Sequence, residues 1–211
     1  MSANEFIENV LIEVLGVRHV VVGKGFCFGK GRSGNLDLLR KQGQRHRFSV
    51  EEMDIVTVAG ERVSSTRTRK VLMHGDFDLA ERLLGRRFHI CGRIIGGDGR
   101  GKEIGFATAN IAYGRNTPPL QGVFASEVDI AGKSYPAVAN AGIRPTVDGE
   151  KYQLEAHIFD FSDQIYGQKI TLEPLLKIRD EKHFGSIDEL KHAIASDVKT
   201  AKEFFTSKGR I

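Results

Sequence analysis

The pattern of hydrophobic and polar residues along the chain changes character near residue 85. Before that point, apolar residues recur at helical spacing over residues 4–15, and a short apolar run, His19–Val22, follows. A helix beside such a run predicts an α/β unit with a buried parallel strand. The pattern continues with a helix over residues 35–42, a strand over residues 53–58 and a helix capped by Ser64 or Ser65.

Short strands separated by turns dominate the rest of the chain. A short helix ending at Gly85 marks the boundary, so we expect one segment over residues 1–85 and a second domain over residues 86–211. Six short strands with few helices are typical of a small antiparallel β-barrel. The predicted strands are residues 88–95, 108–112, 122–130, 134–140, 153–161 and 169–178. A capping box at Ser186 begins a final amphipathic helix, residues 186–206, which we expect to pack on the barrel.

A glycine-rich loop follows the first strand of the predicted barrel. Glycine occupies positions 96, 97, 99 and 101, where main-chain amides can converge on an anion such as a phosphate group. The loop does not follow the Walker pattern, because no Gly-Lys-Ser/Thr closes it. A flexible hairpin loop of the same composition is the alternative interpretation.

Two polar side chains follow this loop on a predicted strand. Thr108 and Asn110 are separated by one residue, so both side chains should lie on one face of the strand. They offer a hydroxyl and an amide oxygen to a hard cation. Magnesium takes few protein ligands and completes its octahedron with water and nucleotide phosphates, so two neutral oxygens beside a phosphate loop are sufficient for it.

Glu155 is the candidate for the group that accepts a proton. It lies on a predicted strand where Leu154 and Ala156 face one way and Glu155 and His157 face the other. A carboxylate in a predominantly apolar strand is uncommon without a partner. The alternative is a solvated glutamate on a half-exposed strand, and His157 is interpreted as structural.

Five motifs in a fixed order resemble the riboflavin kinase module of the bacterial bifunctional riboflavin kinase/FAD synthetases. The resemblance covers about residues 86 to 205, and in one place the chain departs from it: Ala107 replaces a proline that the family usually has. We expect that replacement to cost about 0.4–1 kcal/mol of rigidity and to remove no ligand. The motifs are residues 105–111, 139–146, 154–161, 165–167 and 178–184.

The resemblance implies a riboflavin kinase, which transfers the γ-phosphoryl group of Mg-ATP to the ribityl 5′-hydroxyl of riboflavin and releases FMN and ADP. Thr108 and Asn110 would hold the magnesium and ATP, and Glu155 would take the hydroxyl proton at the mouth of the barrel. The loop from Arg179 to Phe184 would close over the flavin. Arg179 would contact the new phosphate, or else pair with Asp180 or Glu181 on the surface. The flap over the ATP phosphates would consist of Gly97, Gly99, Arg100, Gly101 and Lys102.

The N-terminal segment resembles the second half of the FMN adenylyltransferase module of the same enzymes. The resemblance rests on residues 22–34, with Phe26 and Phe28, and on Ser64–Thr66 with Arg69; a solvated basic loop is the alternative for residues 23–34. The His-x-Gly-His motif of the family's first half is absent from the sequence. Because that chemistry depends on those imidazoles, we expect FAD synthesis to be absent or weak. We interpret residues 1–85 as a truncated remnant that is loosely packed or pairs with another copy of the chain.

The predicted fold class is therefore α+β: a six-stranded antiparallel Greek-key barrel with a C-terminal helix, preceded by a partial α/β nucleotidyltransferase-like segment. Composition agrees with small anionic substrates, because a net charge of +4 suits ATP while the basic residues are too scattered for nucleic acid. Two distant cysteines and the lack of a long apolar run indicate a cytoplasmic protein with no membrane partner. The alternative function is a flavin- or nucleotide-binding remnant without turnover.

Overall fold

The computed structural model describes residues 1–97, 99, 101, 104–114, 117–146 and 149–209, with the backbone alone for residues 144–146 and 149–151. The chain divides into two compact units, Met1–Val63 and Ser64–Ile211. We call them the N-terminal unit and the barrel unit and describe each by itself. The predicted boundary near residue 85 stays a prediction.

The N-terminal unit begins with the predicted helix, although most of its turns are wider than those of an α-helix. Ser2 and Glu5 form a capping box at its start, and its end is marked by the bond from the Leu15 amide to the Val10 carbonyl, five residues back. Its core surrounds Ile7 and Leu39. The elements are α1 (Ala3–Glu5), a π-helix (Phe6–Val14), β1 (His19–Gly23), a 3₁₀ turn (Lys30–Arg32), α2 (Leu36–His46), β2 (Ser49–Met53), β3 (Thr57–Val58) and β4 (Glu61–Arg62).

Two expectations for this unit are corrected. Strand β1 is parallel to β2, as the pattern predicted, but it is not a buried strand: Val22 is buried and Val21 is 47% exposed. Its faces stay open because the described sheet has two strands, whereas parallel strands are buried when helices cover both faces. The strand predicted over residues 53–58 is wrong, since β2 ends at Met53 and β3 begins at Thr57. Apolar residues there are exposed, so hydrophobicity does not report a buried strand.

The barrel unit contains the closed six-stranded antiparallel barrel that the pattern predicted. The strand order around the barrel is β10-β5-β6-β9-β8-β7, so β7, β8 and β9 form consecutive hairpins and β10 returns to lie beside β7. That is a Greek key. The elements are α3 (Ser65–His74), α4 (Phe77–Leu84), β5 (Ile90–Ile95), β6 (Ala109–Tyr113), β7 (Gly122–Ile130), β8 (Lys133–Thr146), β9 (Gly149–Ile158), β10 (Lys169–Arg179) and α5 (Ile187–Ser207).

Local sequence signals explain most of these boundaries. The Ser64 and Asp76 side chains cap α3 and α4, and Gly85 ends α4 in a left-handed conformation, as predicted. Ala131 and Gly132 both have positive φ, the conformation of a tight two-residue hairpin turn. Strand β8 is longer than the predicted strand 134–140, since it extends from Lys133 to Thr146.

Helix α5 covers part of the outer surface of the barrel. The Ser186 side chain accepts a hydrogen bond from the Glu189 amide. A strict capping box would also have the Glu189 carboxylate accept from the Ser186 amide, but here it accepts from the Gly185 amide. Ala201 and Phe205 are fully buried among side chains of β7, β8 and β10 and the ring of Phe159. Ile187 lies at the first position of the helix and is 64% exposed. No helix in the described part of the chain is both long and apolar enough to cross a membrane.

Candidate active site

A row of directly opposed residues crosses five strands of the barrel and contains three residues of the predicted site, Asn110, Glu155 and Arg179. Asn110 on β6 is the register partner of Glu155 on β9, and Glu155 is also the partner of Asn140 on β8. Asn140 is opposite Val123 on β7, which is opposite Arg179 on β10. Opposed residues share a face of a sheet, so two residues 45 positions apart in the sequence, Asn110 and Glu155, become neighbours.

This row lies on the outer face of the barrel. Its members alternate along their strands with Leu154, Ala156 and Ala139, which belong to the barrel interior and are at most 1% exposed. A cavity of about 440 Å³ covers the row. The expectation that the site lies at the mouth of the barrel is therefore corrected: the carboxylate and both proposed cation ligands line a pocket against the side of the barrel, beneath two loops and helix α5.

A glutamine that the sequence analysis did not single out connects two of the predicted site residues. The Gln153 amide nitrogen donates to Asn110 Oδ1 at 2.9 Å and to Glu155 Oε1 at 2.7 Å. Both acceptors are half-buried, so these bonds hold the side chains in one orientation. A signal for Gln153 was present, because it lies two residues before Glu155 and therefore on the same face of the strand.

The glycine loop approaches the two proposed cation ligands so closely that a side chain would not fit. A Cβ atom on Gly97 would lie 2.0 Å from Asn110 Nδ2, and one on Gly101 would lie 3.1 Å from Thr108 Oγ1. Gly99 also lines the cavity and has a positive φ. Gly97 and Gly101 therefore lie close to the Asn110 amide and the Thr108 hydroxyl, and the oxygens of these two side chains fit an ion such as magnesium that takes few protein ligands.

No group of three or more His, Cys, Asp or Glu side chains that could hold a metal ion occurs among the residues that the structure describes. Neutral oxygen ligands beside a phosphate loop suit magnesium carried by a nucleotide better than a transition metal. Arg100 and Lys102, predicted in the flap, lie outside the described residues.

His157 anchors the segment before Thr108. Its Nδ1 lies 2.8 Å from the Ala107 carbonyl oxygen and must donate there, because a carbonyl only accepts. The Phe106 ring packs edge-on against the imidazole with the two ring centroids 5.6 Å apart. Ala107 stands where the family usually has proline, and its backbone carbonyl accepts this bond. His157 of β9 therefore restrains the segment at that position. The structural role expected of His157 agrees with these contacts.

Arg179 also lines the cavity, and the carboxylate that it pairs with is that of Asp197 rather than that of Asp180 or Glu181. The guanidinium makes a bidentate contact with Asp197 of α5, with Nε 2.9 Å from Oδ1 and Nη2 2.8 Å from Oδ2. Its Nη1 donates to the backbone carbonyl of Asp180 at 3.0 Å, and its Cζ lies 5.6 Å from the Phe184 ring centroid. The sequence analysis missed Asp197, although a carboxylate at the spacing of an apolar helix face was a signal.

The loop after β10 is held by two further carboxylates. Glu181 Oε2 lies 3.3 Å from the Ile143 amide, and a Cβ atom on Gly142 would lie 1.5 Å from Glu181 Oε1, so the loop depends on a bare strand surface. Lys177 Nζ lies 2.7 Å from Asp180 Oδ1. The hydrogen bond and the positive charge of Lys177 lower the pKa of the Asp180 carboxyl below its ordinary value.

Two tyrosines stiffen the barrel away from this pocket. Tyr113 donates to the Tyr152 carbonyl at 3.0 Å, and the Tyr152 hydroxyl donates to the Leu120 carbonyl at 2.9 Å. Burial raises the pKa of both phenols, most strongly that of Tyr152. Neither ring lines the cavity, so their role is structural.

Two protein-family models match different parts of the chain. A family model for riboflavin kinase matches residues 84–205, and a model for FAD synthetase matches residues 1–67.

Individual relatives match along almost the whole chain. A bifunctional riboflavin kinase/FMN adenylyltransferase of Pseudomonas fluorescens is 45% identical over 96% of this chain and 65% of its own length. The protein of the same name from Escherichia coli K12 is 43% identical over 97% of this chain and 66% of its own length. The chain thus spans about two thirds of the length of these relatives. The crystal structure of a macrolide-efflux protein from Streptococcus pneumoniae has a TM-score of 0.72 and 30% identity, covering 96% of this chain and 65% of that one.

Proposed function

The chain belongs to the riboflavin kinase family, and we propose that it transfers the γ-phosphoryl group of ATP to the 5′-hydroxyl of riboflavin, giving FMN and ADP. The observation that carries the proposal is the pairing of Asn110 with Glu155 across β6 and β9, under the glycine loop. A proton acceptor, neutral oxygen ligands and a main-chain phosphate cradle in one cavity are what phosphoryl transfer to an alcohol requires.

Glu155 is the proposed proton acceptor. The proton of the ribityl hydroxyl moves to the Glu155 carboxylate, the hydroxyl oxygen forms a bond to the γ-phosphorus, and the bond from that phosphorus to the leaving ADP oxygen breaks. Gln153 supports this role, because its bond to Glu155 Oε1 restrains a carboxylate that lines the cavity. The half-buried setting limits competition from water.

Thr108 and Asn110 are the proposed ligands of magnesium-bound ATP, with Gly97, Gly99 and Gly101 over the phosphates. The ion would neutralise charge on the phosphate oxygens. The residues of the chain contribute orientation: Gln153 fixes the Asn110 oxygen, and His157 restrains the segment that carries Thr108. Arg179 and Phe184 are proposed to close over the flavin from the other side of the cavity, with Arg179 near the phosphate of FMN.

The decisive experiment incubates the protein with riboflavin, ATP and magnesium and separates the flavins by chromatography. We expect FMN to accumulate without FAD, because the chain has no His-x-Gly-His motif. Appearance of FAD after FMN would show that the N-terminal unit supports adenylyl transfer. No product, with riboflavin and nucleotide still bound, would favour a flavin-binding protein without turnover.

Glu155→Gln tests the mechanism within the same assay. We expect turnover to fall about 10²- to 10⁴-fold, which is the usual contribution of a positioned proton acceptor, and nucleotide binding to be retained. Glu203→Gln on α5 is the matched control, since that carboxylate is 66% exposed and outside the cavity. Unchanged turnover in Glu155→Gln would remove Glu155 from the mechanism.

We also propose that the N-terminal unit mediates self-association. Support comes from exposed apolar side chains on or beside its small sheet, including Val21 at 47%, Met53 at 50% and Val56 at 58% exposure. Sedimentation velocity over a range of concentrations should show reversible association, and Val56→Lys should weaken it. A monomer at every concentration would contradict this part. The predicted cytoplasmic location stays a prediction.

A further inference from the structure

The ion pair between Arg179 and Asp197 connects two elements that meet at the cavity. Arg179 is the last residue of β10, and Asp197 lies in the middle of α5. Two nitrogens of the guanidinium face two oxygens of the carboxylate at 2.8–3.2 Å, a bidentate geometry. Such a contact fixes the plane of the guanidinium as well as its position.

The setting of Asp197 is unusual for a carboxylate. The residue is 4% exposed and lies on the helix face that carries Leu190, Ile194 and Ala201. Leu190, Ile194 and Asp197 all line the cavity beside Arg179. A buried aspartate among apolar side chains is costly unless it is paired, and replacing such a pair with apolar residues is often neutral or stabilising. Stability alone therefore does not account for the pair.

The guanidinium keeps donors for a ligand. Its Nε and one Nη2 hydrogen are used by Asp197, and one Nη1 hydrogen is used by the Asp180 carbonyl. An arginine has five N–H donors, so in the part of the chain that the structure describes one hydrogen remains on each terminal nitrogen. The Phe184 ring, 5.6 Å from Cζ, restricts the guanidinium further.

We propose that Asp197 is a positioning residue for phosphate recognition: it holds Arg179 so that the two remaining N–H groups face the phosphate of FMN in the cavity. Asp197 itself does not touch the ligand. Helix α5 is thereby part of the site rather than only a cover for the barrel. The inference rests on the proposed function for the identity of the phosphate, which is that of the flavin product.

The test compares binding of FMN with binding of riboflavin, two flavins that differ by the phosphate. Flavin fluorescence titrations are measured for the wild type, for Asp197→Asn and for Asp188→Asn, a matched control on the exposed side of the same helix. We expect Asp197→Asn to weaken FMN binding about tenfold or more and to change riboflavin binding less than about twofold. Asp188→Asn should leave both affinities unchanged.

Asp197→Asn is preferred to Arg179→Gln as the first variant because of what each leaves behind. Loss of the carboxylate leaves a partly exposed arginine, whereas loss of the arginine leaves a charge that is 6% exposed and unpaired. If thermal unfolding shows that Asp197→Asn does not fold, Asp197→Glu replaces it. That variant keeps the charge but displaces the guanidinium, and we expect it to weaken FMN binding by an intermediate factor.

A double variant separates positioning from a general structural role. If Asp197 acts through Arg179, FMN binding in Arg179→Gln/Asp197→Asn should be no weaker than in Arg179→Gln. Additive losses would overturn the proposal, as would an Asp197→Asn protein that still prefers FMN to riboflavin as the wild type does. A wild type without this preference would also overturn it.

The outcomes distinguish this inference from the proposed function. A wild type that makes no FMN from riboflavin and ATP would refute the kinase, while the two titrations would still decide the role of Asp197. Conversely, a kinase whose kcat/KM is unchanged in Asp197→Asn would refute the positioning role alone. If both proposals hold, we expect kcat/KM to fall about 10- to 100-fold in that variant.

Discussion

The two units of the chain use β-structure in opposite ways. In the barrel unit, six strands pair on both edges, and the interior is closed by small and large apolar side chains such as Ala139 and Phe124. In the N-terminal unit, the described sheet has two parallel strands, and Val21 and Met53 are about half exposed. Closure removes the edges of a sheet, whereas an open parallel pair needs cover on both faces.

This difference explains where the proposed chemistry is located. A site that depends on side chains from several strands needs a fixed register, and the closed barrel provides one: Glu155 is held between Asn110 and Asn140 by backbone pairing on both sides. The basic loop of the N-terminal unit has less support. Within that unit, the isolated bridge between Phe28 and Gly34 and the short turn Lys30–Arg32 order its chain. Precise placement of reacting groups follows from strand pairing.

The largest expected effects are losses of folding stability from substitutions that create a cavity in one of the two hydrophobic cores. Leu172→Ala in the barrel and Leu39→Ala in the N-terminal unit each truncate a leucine that is at most 1% exposed, at a cost of about 2–5 kcal/mol to its own unit. All four tyrosines lie in the barrel unit and the chain has no tryptophan, so intrinsic fluorescence reports the barrel alone. Urea unfolding followed by tyrosine fluorescence should therefore shift to lower urea in Leu172→Ala and stay unchanged in Leu39→Ala.

Circular dichroism supplies the control for that experiment, because both units contain helices. The Leu39→Ala protein should lose part of its helical signal at lower urea than the wild type. A fluorescence transition that moves equally in both variants would mean that the two units unfold together. The units would then differ in their β-sheet architecture but would not have separate stabilities.

Amide hydrogen exchange in the intact chain should rank the two sheets directly. Amides of β7 and β8, paired along their whole lengths, should exchange roughly a hundredfold more slowly than those of β1 and β2, which corresponds to about 3 kcal/mol of opening free energy. Mass spectrometry of peptides from the two regions would measure it. Equal protection would show that the open parallel pair is as stable as the closed barrel.

The barrel strands and the final helix were predictable because their signals are local. Alternation of apolar and polar residues, the cap at Ser64 and the helix end at Gly85 depend on a few neighbouring residues, so they can be recognised before the fold is known. The strand predicted over residues 53–58 failed for the same reason. Its apolar residues form a local pattern, but they are exposed, and only tertiary packing decides burial.

The site was predictable in its residue types but not in its arrangement. Thr108, Asn110 and Glu155 were proposed from their chemistry and from the family resemblance, and they line one cavity, whereas the pairing of Asn110 with Glu155 depends on register between distant strands. Asp197 illustrates the limit. An aspartate on the apolar face of a helix can be an unpaired, destabilising residue or the ion-pair partner of a distant arginine. Sequence spacing alone does not distinguish these two cases.

A smaller effect should follow from adding a methyl group to the glycine loop. In Gly97→Ala the new Cβ would lie 2.0 Å from Asn110 Nδ2, so either the loop or the amide must move, and we expect kcat/KM for FMN formation to fall about tenfold or more. Gly96→Ala is the matched control, because a Cβ atom there meets nothing within 4 Å. Equal activity of the two variants would show that the loop does not depend on close approach to Asn110.

The smallest expected effect is a change in the pKa of the exposed Asp180 carboxyl, which lies beside Lys177. Lys177 lowers the pKa of the Asp180 carboxyl, so the charged form is favoured in the folded state. A lowered pKa contributes stability above the ordinary pKa of the carboxyl, and the contribution is lost as the pH falls through the lowered value. NMR titration should give a midpoint for Asp180 below the ordinary value of 3.8, and Lys177→Met should raise it.

Salt provides the control for this titration. Because Asp180 is exposed, the attraction to Lys177 is screened, and in 1 M salt the Asp180 midpoint of the wild type should approach that of Lys177→Met. A wild-type midpoint that salt does not move would mean that the hydrogen bond from Lys177, rather than the charge of Lys177, lowers the pKa of Asp180.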